Sequence, residues 1–197
     1  MNNLDLEVLK DEFYYSLCQV FNNQKKAKDF MNYLENETDY FTAPASHRYH
    51  SSCENGLLNH SYLVFLKLKE LNELHHLNFS NLDCFVVGMF HDFCKTNFYK
   101  VDYKNIKDDK GNWVKAPYYT IEDANPLGVH GDKSVMLLLL LEFPLTEKQA
   151  YCIRYHMGAF EGQQCFNSLN AAVRKYPEIL YVQLADQLAT IEEEANN

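Results

Sequence analysis

The chain has 197 residues, of which 47% are hydrophobic and 23% are charged, and its formal net charge is −9. This length suits one sizeable domain over residues 1–197, and the composition is that of an ordinary globular protein. The acidic balance argues against strong binding to nucleic-acid backbones, which clustered Lys and Arg residues drive. It is compatible with a small phosphorylated substrate held at a local metal or basic site.

Helical periodicity dominates the first half of the chain, which carries no evident targeting segment. Helices are predicted over residues 4–21, 25–36, 57–74 and 80–93. The first two form an N-terminal section, residues 1–40, and an ordered loop rich in small polar residues follows over residues 38–55. Ser80, with Asp83 three positions later, is an N-cap signal for the very apolar fourth helix.

The second half of the chain adds a hairpin and three more helices. Strand-type residues over 98–121 flank the turn sequence at residues 108–112, which predicts an inserted β-hairpin. One helix is predicted after His130, one at the capping box of Thr146 and Gln149, and one from Pro177 to about Glu194. We therefore predict an all-α helical bundle with a β-hairpin insertion at about residues 98–121.

The sequence also indicates where the protein resides. The most apolar run, residues 135–141, is far shorter than the roughly 20 residues of a membrane span. Residues 1–10 carry Asp5 and Glu7, where a signal peptide would carry positive charge. The six cysteines form no C-x-x-C pair, so free thiols are expected. We expect a cytoplasmic protein without a membrane segment.

Several histidines and aspartates interrupt apolar or glycine-marked helical segments. They are His60, His91, Asp92, His130, His156 and Asp186. Buried charged groups are costly unless they are paired or bound to a metal, and a cation would remove that cost at both aspartates. Imidazole nitrogen and carboxylate oxygen together suit Mn, Fe, Co, Ni or Zn better than Ca or Mg alone.

The order of these residues resembles that of the HD superfamily of metal-dependent phosphohydrolases. The segment at residues 56–61, Gly-Leu-Leu-Asn-His-Ser, is similar to the family's entry to its first ligand helix, and residues 91–95 are similar to its H-D-x-x-K segment. Residues 130–134 and 153–156 are similar to segments that supply two more histidines in the binuclear branches. The resemblance covers roughly residues 42–190, which it marks as the ligand-bearing core.

This resemblance implies one or two divalent transition metals, Mg being a further candidate. His60, His91, Asp92 and Asp186 would hold the first metal, and Asp92 would bridge to a second that His130 and His156 complete. The implied reaction is hydrolysis of a phosphoester of a nucleotide or short oligonucleotide by metal-activated water. Asp92 and Lys95 are the implied catalytic residues.

Four residues are candidates for binding the substrate. Lys95 follows the His-Asp doublet by one helical turn and would contact a substrate phosphate, although a cation there could also stabilise a helix C-terminus. Arg154 could clamp a phosphate with two hydrogen bonds or form a surface ion pair. Arg48 and His50 fall in the loop before the first ligand helix, which approaches the site in similar proteins.

Two other functions are open from the sequence. A smaller group of HD-fold proteins are di-iron oxygenases with the same six-ligand order, so the ligands alone do not exclude that reaction. A non-catalytic metal-binding regulatory module is the other alternative. The hairpin interleaves five lysines with tyrosines and a tryptophan, and it lies between the Asp92 and His130 segments, which makes a lid or substrate-selecting role a hypothesis.

Overall fold

The computed structural model describes residues 3–48, 51–122 and 127–195. The helices are α1 (Asn3–Phe21), α2 (Gln24–Asn36), α3 (Gly56–His75), α4 (Asn81–Phe90), α5 (His130–Leu140), α6 (Glu147–Arg154), α7 (Phe166–Lys175) and α8 (Glu178–Ala195). The strands are β1 (Tyr99–Lys107) and β2 (Trp113–Ile121), and short 3-10 turns cover Phe93–Lys95, Gly158–Glu161 and Gln163–Cys165. The prediction of a helical protein with one hairpin is confirmed. None of the helices in these ranges is long and apolar enough to cross a membrane.

The predicted N-cap of α4 and the predicted capping box of α6 are both present, and the N-cap of α4 is also a capping box. The Ser80 hydroxyl accepts from the Asp83 amide, and the Asp83 carboxylate accepts from the Ser80 amide; Thr146 and Gln149 make the equivalent pair at α6. Each box satisfies two amides that a helix start leaves unbonded. The starts of α4 and α6 are thereby fixed by their own sequences.

Helix α4 ends at Phe90, three residues earlier than predicted. The His91 Nδ1 lies 2.8 Å from the Gly88 carbonyl oxygen, which is the acceptor that the Asp92 amide would use if the helix continued. Asp92 leaves the helical conformation, with φ −100° and ψ 21°. The break therefore places the His-Asp doublet at the end of α4 rather than within it.

Helix α4 is held in the core by a cluster of aromatic rings. The Phe13 ring packs against the rings of Tyr40, Phe85 and Phe90 at centroid distances of 5.3 to 5.9 Å. The buried Tyr40 hydroxyl donates to the Met89 carbonyl oxygen at 2.6 Å. Helix α1 and the chain after α2 thus pack directly against the end of α4 that carries the site.

Two glycines allow the helices of the site to approach closely. A β-carbon at Gly88 would lie 2.5 Å from the Phe65 Cα on α3, and one at Gly131 would overlap the Arg154 carbonyl oxygen at the end of α6. Real β-carbons do not make such contacts with backbone atoms. Helix α4 can therefore lie directly on α3, and α5 can start directly against the end of α6.

The hairpin projects from the helices between α4 and α5. Its strands are antiparallel and paired from Tyr99 opposite Ile121 to Lys107 opposite Trp113. The Asp108 carboxylate accepts from the Lys110 and Asn112 amides and closes the predicted turn. Tyr103 and Trp113 are 62% and 69% exposed, so the outer part of the hairpin is largely open to solvent.

The contact at Gly131 leads to a prediction. We expect Gly131→Ala to lower the free energy of unfolding by about 1–3 kcal/mol because the added methyl group displaces α5 from α6. Urea unfolding measures this. The control is Leu139→Ala on the same helix, which removes an exposed side chain and should change stability by no more than about 0.5 kcal/mol. Equal effects of the two substitutions would contradict the close-contact explanation.

Candidate metal centre

The six predicted ligands come together around the buried carboxylate of Asp92. His60 and Asp186 lie inside α3 and α8, whereas the other three histidines lie at helix ends, His91 at the end of α4, His130 at the start of α5 and His156 after the end of α6. Helix α3 packs against both α4 and α8, and α5 packs against α6. These contacts bring together side chains that are far apart in the sequence.

The two oxygens of Asp92 face different groups. Oδ2 lies 2.6 Å from Lys95 Nζ, 3.4 Å from His91 Nε2 and 3.9 Å from His60 Nε2. Oδ1 lies 2.6 Å from His130 Nε2 and 3.5 Å from His156 Nε2. Asp92 is 3% exposed. One carboxylate therefore lies between two sets of nitrogen donors, as a bridging ligand must.

Within the part of the chain that the structure describes, three groups of residues have the geometry to hold a metal ion. They are His60, His91 and Asp186; His91, Asp92 and His156; and Asp92, Cys94 and His130, each with its ligand atoms within 4.8 Å of one another. The first group matches the predicted first site without Asp92. The predicted second site is divided between the other two groups, and Cys94 joins it.

The protonation of two histidines supports a cation at this position. The Nδ1 atoms of His91 and His156 lie 2.8 and 2.7 Å from backbone carbonyl oxygens, which only accept, so each Nδ1 carries the proton. In the neutral ring each Nε2 then presents a lone pair, and neither Nε2 has a hydrogen-bond partner among the described residues. Lone pairs that face a buried carboxylate are unfavourable, and a metal ion between them would remove that cost. The residues therefore fit a metal.

Two further residues of the site were not predicted from the sequence. The first is Glu193, whose Oε2 lies 3.0 Å from His60 Nδ1. The other ring nitrogen of His60, Nε2, lies 3.1 Å from Oδ1 of the predicted ligand Asp186. Glu193 follows Asp186 by two turns of α8, a spacing that the sequence does contain. Carboxylates behind a ligating histidine orient its ring and raise its basicity. The second is Cys94, whose Sγ lies 3.2 Å from His130 Nδ1.

Charged partners shift the pKa values of the site. Burial lowers the pKa of His60, but hydrogen bonds to carboxylates outweigh burial and raise it to about 9. Burial likewise lowers the pKa of His130, which the nearby Cys94 and Asp92 raise to about 10. Burial raises the pKa of Asp92, yet Lys95 and the histidines hold it well below its usual range. Burial keeps the pKa of His156 below its usual value.

A cavity of about 220 Å³ meets the site at His130. It is lined by Cys94, Lys95, Phe98, Tyr99, Gly128, His130 and Lys133. The Lys133 ammonium lies 4.7 Å from the centre of the Phe98 ring. Burial lowers the pKa of Lys95, but the Asp92 carboxylate outweighs burial and raises it above its usual value. The cavity therefore contains two lysine side chains beside the candidate metal ligands.

Two of the other predicted substrate contacts, Arg48 and Arg154, lie away from the candidate metal centre. Arg48 lines a separate cavity between its loop and the hairpin, and His50 lies outside the described residues. Arg154 pairs with Asp132, its guanidinium carbon lies 4.7 Å from the centre of the Tyr155 ring, and it lines a third cavity. Of the four predicted substrate contacts, the structure places Lys95 directly at the candidate metal centre.

Comparison with known proteins returns no relative. No family model, no curated protein and no solved structure matches the chain. The chemistry open to the site therefore follows from the geometry of its residues.

Coordination by Cys94 can be tested by spectroscopy. We expect the protein reconstituted with cobalt(II) to show a thiolate-to-cobalt charge-transfer band in the near ultraviolet, and Cys94→Ser to lose it, because Cys94 Sγ lies among nitrogen and oxygen donors. Cys152→Ser is the matched control, since Cys152 is also fully buried but belongs to none of the three groups. A band that survives Cys94→Ser would exclude Cys94 as a ligand.

The raised histidine pKa values predict how the stability of the metal-free protein varies with pH. An unfolded histidine has a pKa near 6.5, so stability from the charged forms of His60 and His130 is fully present below pH 6.5. It is lost as pH rises through their folded pKa values of about 9 and 10. We therefore expect the free energy of unfolding to fall between pH 6.5 and 9.5 in the presence of a chelator.

Urea unfolding at several pH values measures this dependence. Glu193→Gln should weaken it because the substitution removes one of the carboxylates that raise the pKa of His60. The control is His75→Gln, which replaces an exposed histidine and should leave the dependence unchanged. If the free energy of unfolding does not change with pH over this range, His60 and His130 do not form the stabilising charged pairs described above.

Proposed function

We propose that this protein is a metal-dependent phosphohydrolase of the HD type that cleaves a phosphoester of a nucleotide or short oligonucleotide. The observation that carries the proposal is the Asp92 carboxylate, whose two oxygens face separate sets of histidine nitrogens. Two of those nitrogens, on His91 and His156, are buried and have no hydrogen-bond partner among the described residues. The resemblance of the sequence to the HD superfamily agrees with this arrangement.

The residues would divide between two metal positions. His60, His91 and Asp186 would hold one ion with Asp92 Oδ2, and His130, His156 and Cys94 are the donors near Asp92 Oδ1. Nitrogen, oxygen and sulfur donors together suit Mn, Fe, Co, Ni or Zn. A bound metal supplies hydroxide near neutral pH by lowering the pKa of a coordinated water, and it neutralises charge on phosphoryl oxygens.

The two lysines indicate the charge of the substrate. Lys95 and Lys133 line the cavity that meets His130, and the raised pKa of Lys95 keeps its ammonium charged over the physiological range. At about 220 Å³ the cavity is smaller than the sites of whole ligands, which occupy roughly 300–1,000 Å³. It has room for a phosphate group, so the remainder of the substrate would lie outside it.

The proposed reaction is a hydrolysis without a covalent enzyme intermediate. A water oxygen forms a bond to phosphorus and loses one proton, the bond between phosphorus and the ester oxygen breaks, and the ester oxygen leaves with one proton, so the number of protons balances. Asp92 would act as a ligand rather than as a proton acceptor because its pKa is held well below the usual range. Lys95 would offset the negative charge of the phosphoryl group.

The di-iron oxygenase is the second candidate function. It is favoured by the donor set itself, since histidine and carboxylate ligands also suit iron. The lysines beside His130 favour an anionic substrate and therefore the hydrolase. A non-catalytic module would bind metal at the same residues without turnover.

One experiment separates these functions. We expect the protein reconstituted with manganese to hydrolyse one or more members of a panel of nucleotides, dinucleoside polyphosphates and short oligonucleotides. Asp92→Asn should lower turnover by at least about 100-fold, since replacing even the partners of metal ligands costs 10–100-fold. Bound metal is measured in the same samples, and Asp29→Asn, at an exposed carboxylate, should retain wild-type turnover.

Each of the other functions has its own result. Metal retention without hydrolysis of any member of the panel, together with oxygen consumption by a reduced iron form, would replace the hydrolase with the oxygenase. Metal retention with neither activity would indicate the regulatory module. Failure to bind any transition metal would contradict all three.

A further inference from the structure

A second cavity lies between the loop that precedes α3 and the hairpin. Its volume is about 910 Å³, which is within the size range of ligand sites. It is lined by His47, Arg48, Ser52 and Cys53 from the loop and by Val101, Lys104, Pro117, Tyr118 and Tyr119 from the hairpin. None of the predicted metal ligands is among these residues.

The lining has the chemistry of a nucleotide site. Arg48 and Lys104 supply positive charge, and the Lys104 ammonium lies 5.4 Å from the centre of the Tyr118 ring, whose hydroxyl donates to Asp102. Tyr118 and Tyr119 supply aromatic rings. Cationic groups next to aromatic rings hold the phosphates and bases of single-stranded nucleic acid by charge and by stacking.

Strand β1 connects this cavity with the candidate metal centre. Tyr99 lines the small cavity beside Lys95 and His130, and its hydroxyl donates to the Ala45 carbonyl oxygen in the loop at 3.5 Å. Val101 follows on the same face of the strand, about 7 Å further along, and lines the large cavity. The two cavities thus lie about 7 Å apart along β1, which is within the reach of a molecule that contains a second unit.

We propose that the loop–hairpin cavity binds a second nucleotide unit of the substrate, joined through phosphate to the unit at the metal centre. This inference rests on the proposed function. The small cavity has room for a phosphate, whereas the large one has room for a base and a sugar as well. The substrate would then contain at least two nucleotide units, either as a short single-stranded oligonucleotide or as a dinucleoside polyphosphate.

The test is a binding measurement on the full chain loaded with manganese. The probes are a thymidine dinucleotide with a phosphorothioate linkage, which slows hydrolysis, a dithymidine polyphosphate, and thymidine monophosphate. Isothermal titration should show that a two-unit probe binds about tenfold more tightly than the monophosphate, since stacking one base contributes a factor of this order. The two-unit probe that binds more tightly identifies the linkage.

Matched variants locate the second unit. Lys104→Gln and Tyr119→Ala should each abolish most of the tenfold gain and leave the binding of the monophosphate unchanged. Lys107→Gln and Tyr103→Ala remove the same groups from the same hairpin outside the cavity lining, and they should retain the gain. Equal losses in both pairs would show general attraction to the hairpin and overturn the proposal.

The outcomes distinguish this proposal from the proposed function. Two-unit and monophosphate probes of equal affinity would overturn the second subsite, whether or not any phosphoester is hydrolysed. A two-unit preference that depends on Lys104, in a protein that hydrolyses no phosphoester, would support the subsite and contradict the hydrolase.

Discussion

The structure depends on one buried negative charge. The Asp92 carboxylate is almost inaccessible, and burying an ionised group is costly unless charges or metal ligands surround it. Its partners come from α3, α5, the segment after α6 and the 3-10 turn that carries Lys95. Each of these elements must be correctly packed before its charged or ligating groups can surround the Asp92 carboxylate. The site therefore forms only when the helices of the bundle are packed as observed. This is a physical reason for the contacts at Gly88 and Gly131, where no side chain separates the helices.

Much of the fold could be predicted because its signals are local. The capping boxes of α4 and α6 occupy four consecutive positions each, and the residues that form the hairpin turn lie within 108–112. The end of α4 was predicted three residues too late because the apolar pattern continues past Phe90. What ends the helix is the ring of His91 on the Gly88 carbonyl oxygen, and hydrophobic periodicity carries no information about that hydrogen bond.

The candidate site could be predicted in its residue types but not in its grouping. Order along the chain selected the histidines and aspartates that come together, yet it did not place Cys94 beside His130 or Glu193 beside His60. Cys94 follows Asp92 by two positions, and only the 3-10 turn, which depends on the helix break, brings its sulfur toward α5. For Arg154 the sequence left a phosphate contact and a surface ion pair both open. The structure pairs Arg154 with Asp132, whereas Lys95 pairs with the central carboxylate of Asp92, and that difference depends on where α5 begins.

The position of the hairpin has a consequence for how such a protein can diversify. Its two ends are fixed by the residues on either side, since Lys95 precedes β1 and His130 begins the helix that follows β2. The side chains of the outer part of the hairpin are largely exposed. Its length and surface can therefore vary by insertion or exchange while the ligands keep their places. One bundle could in this way acquire a new range of substrates through a single continuous segment of the gene, without rebuilding the helices that carry the chemistry.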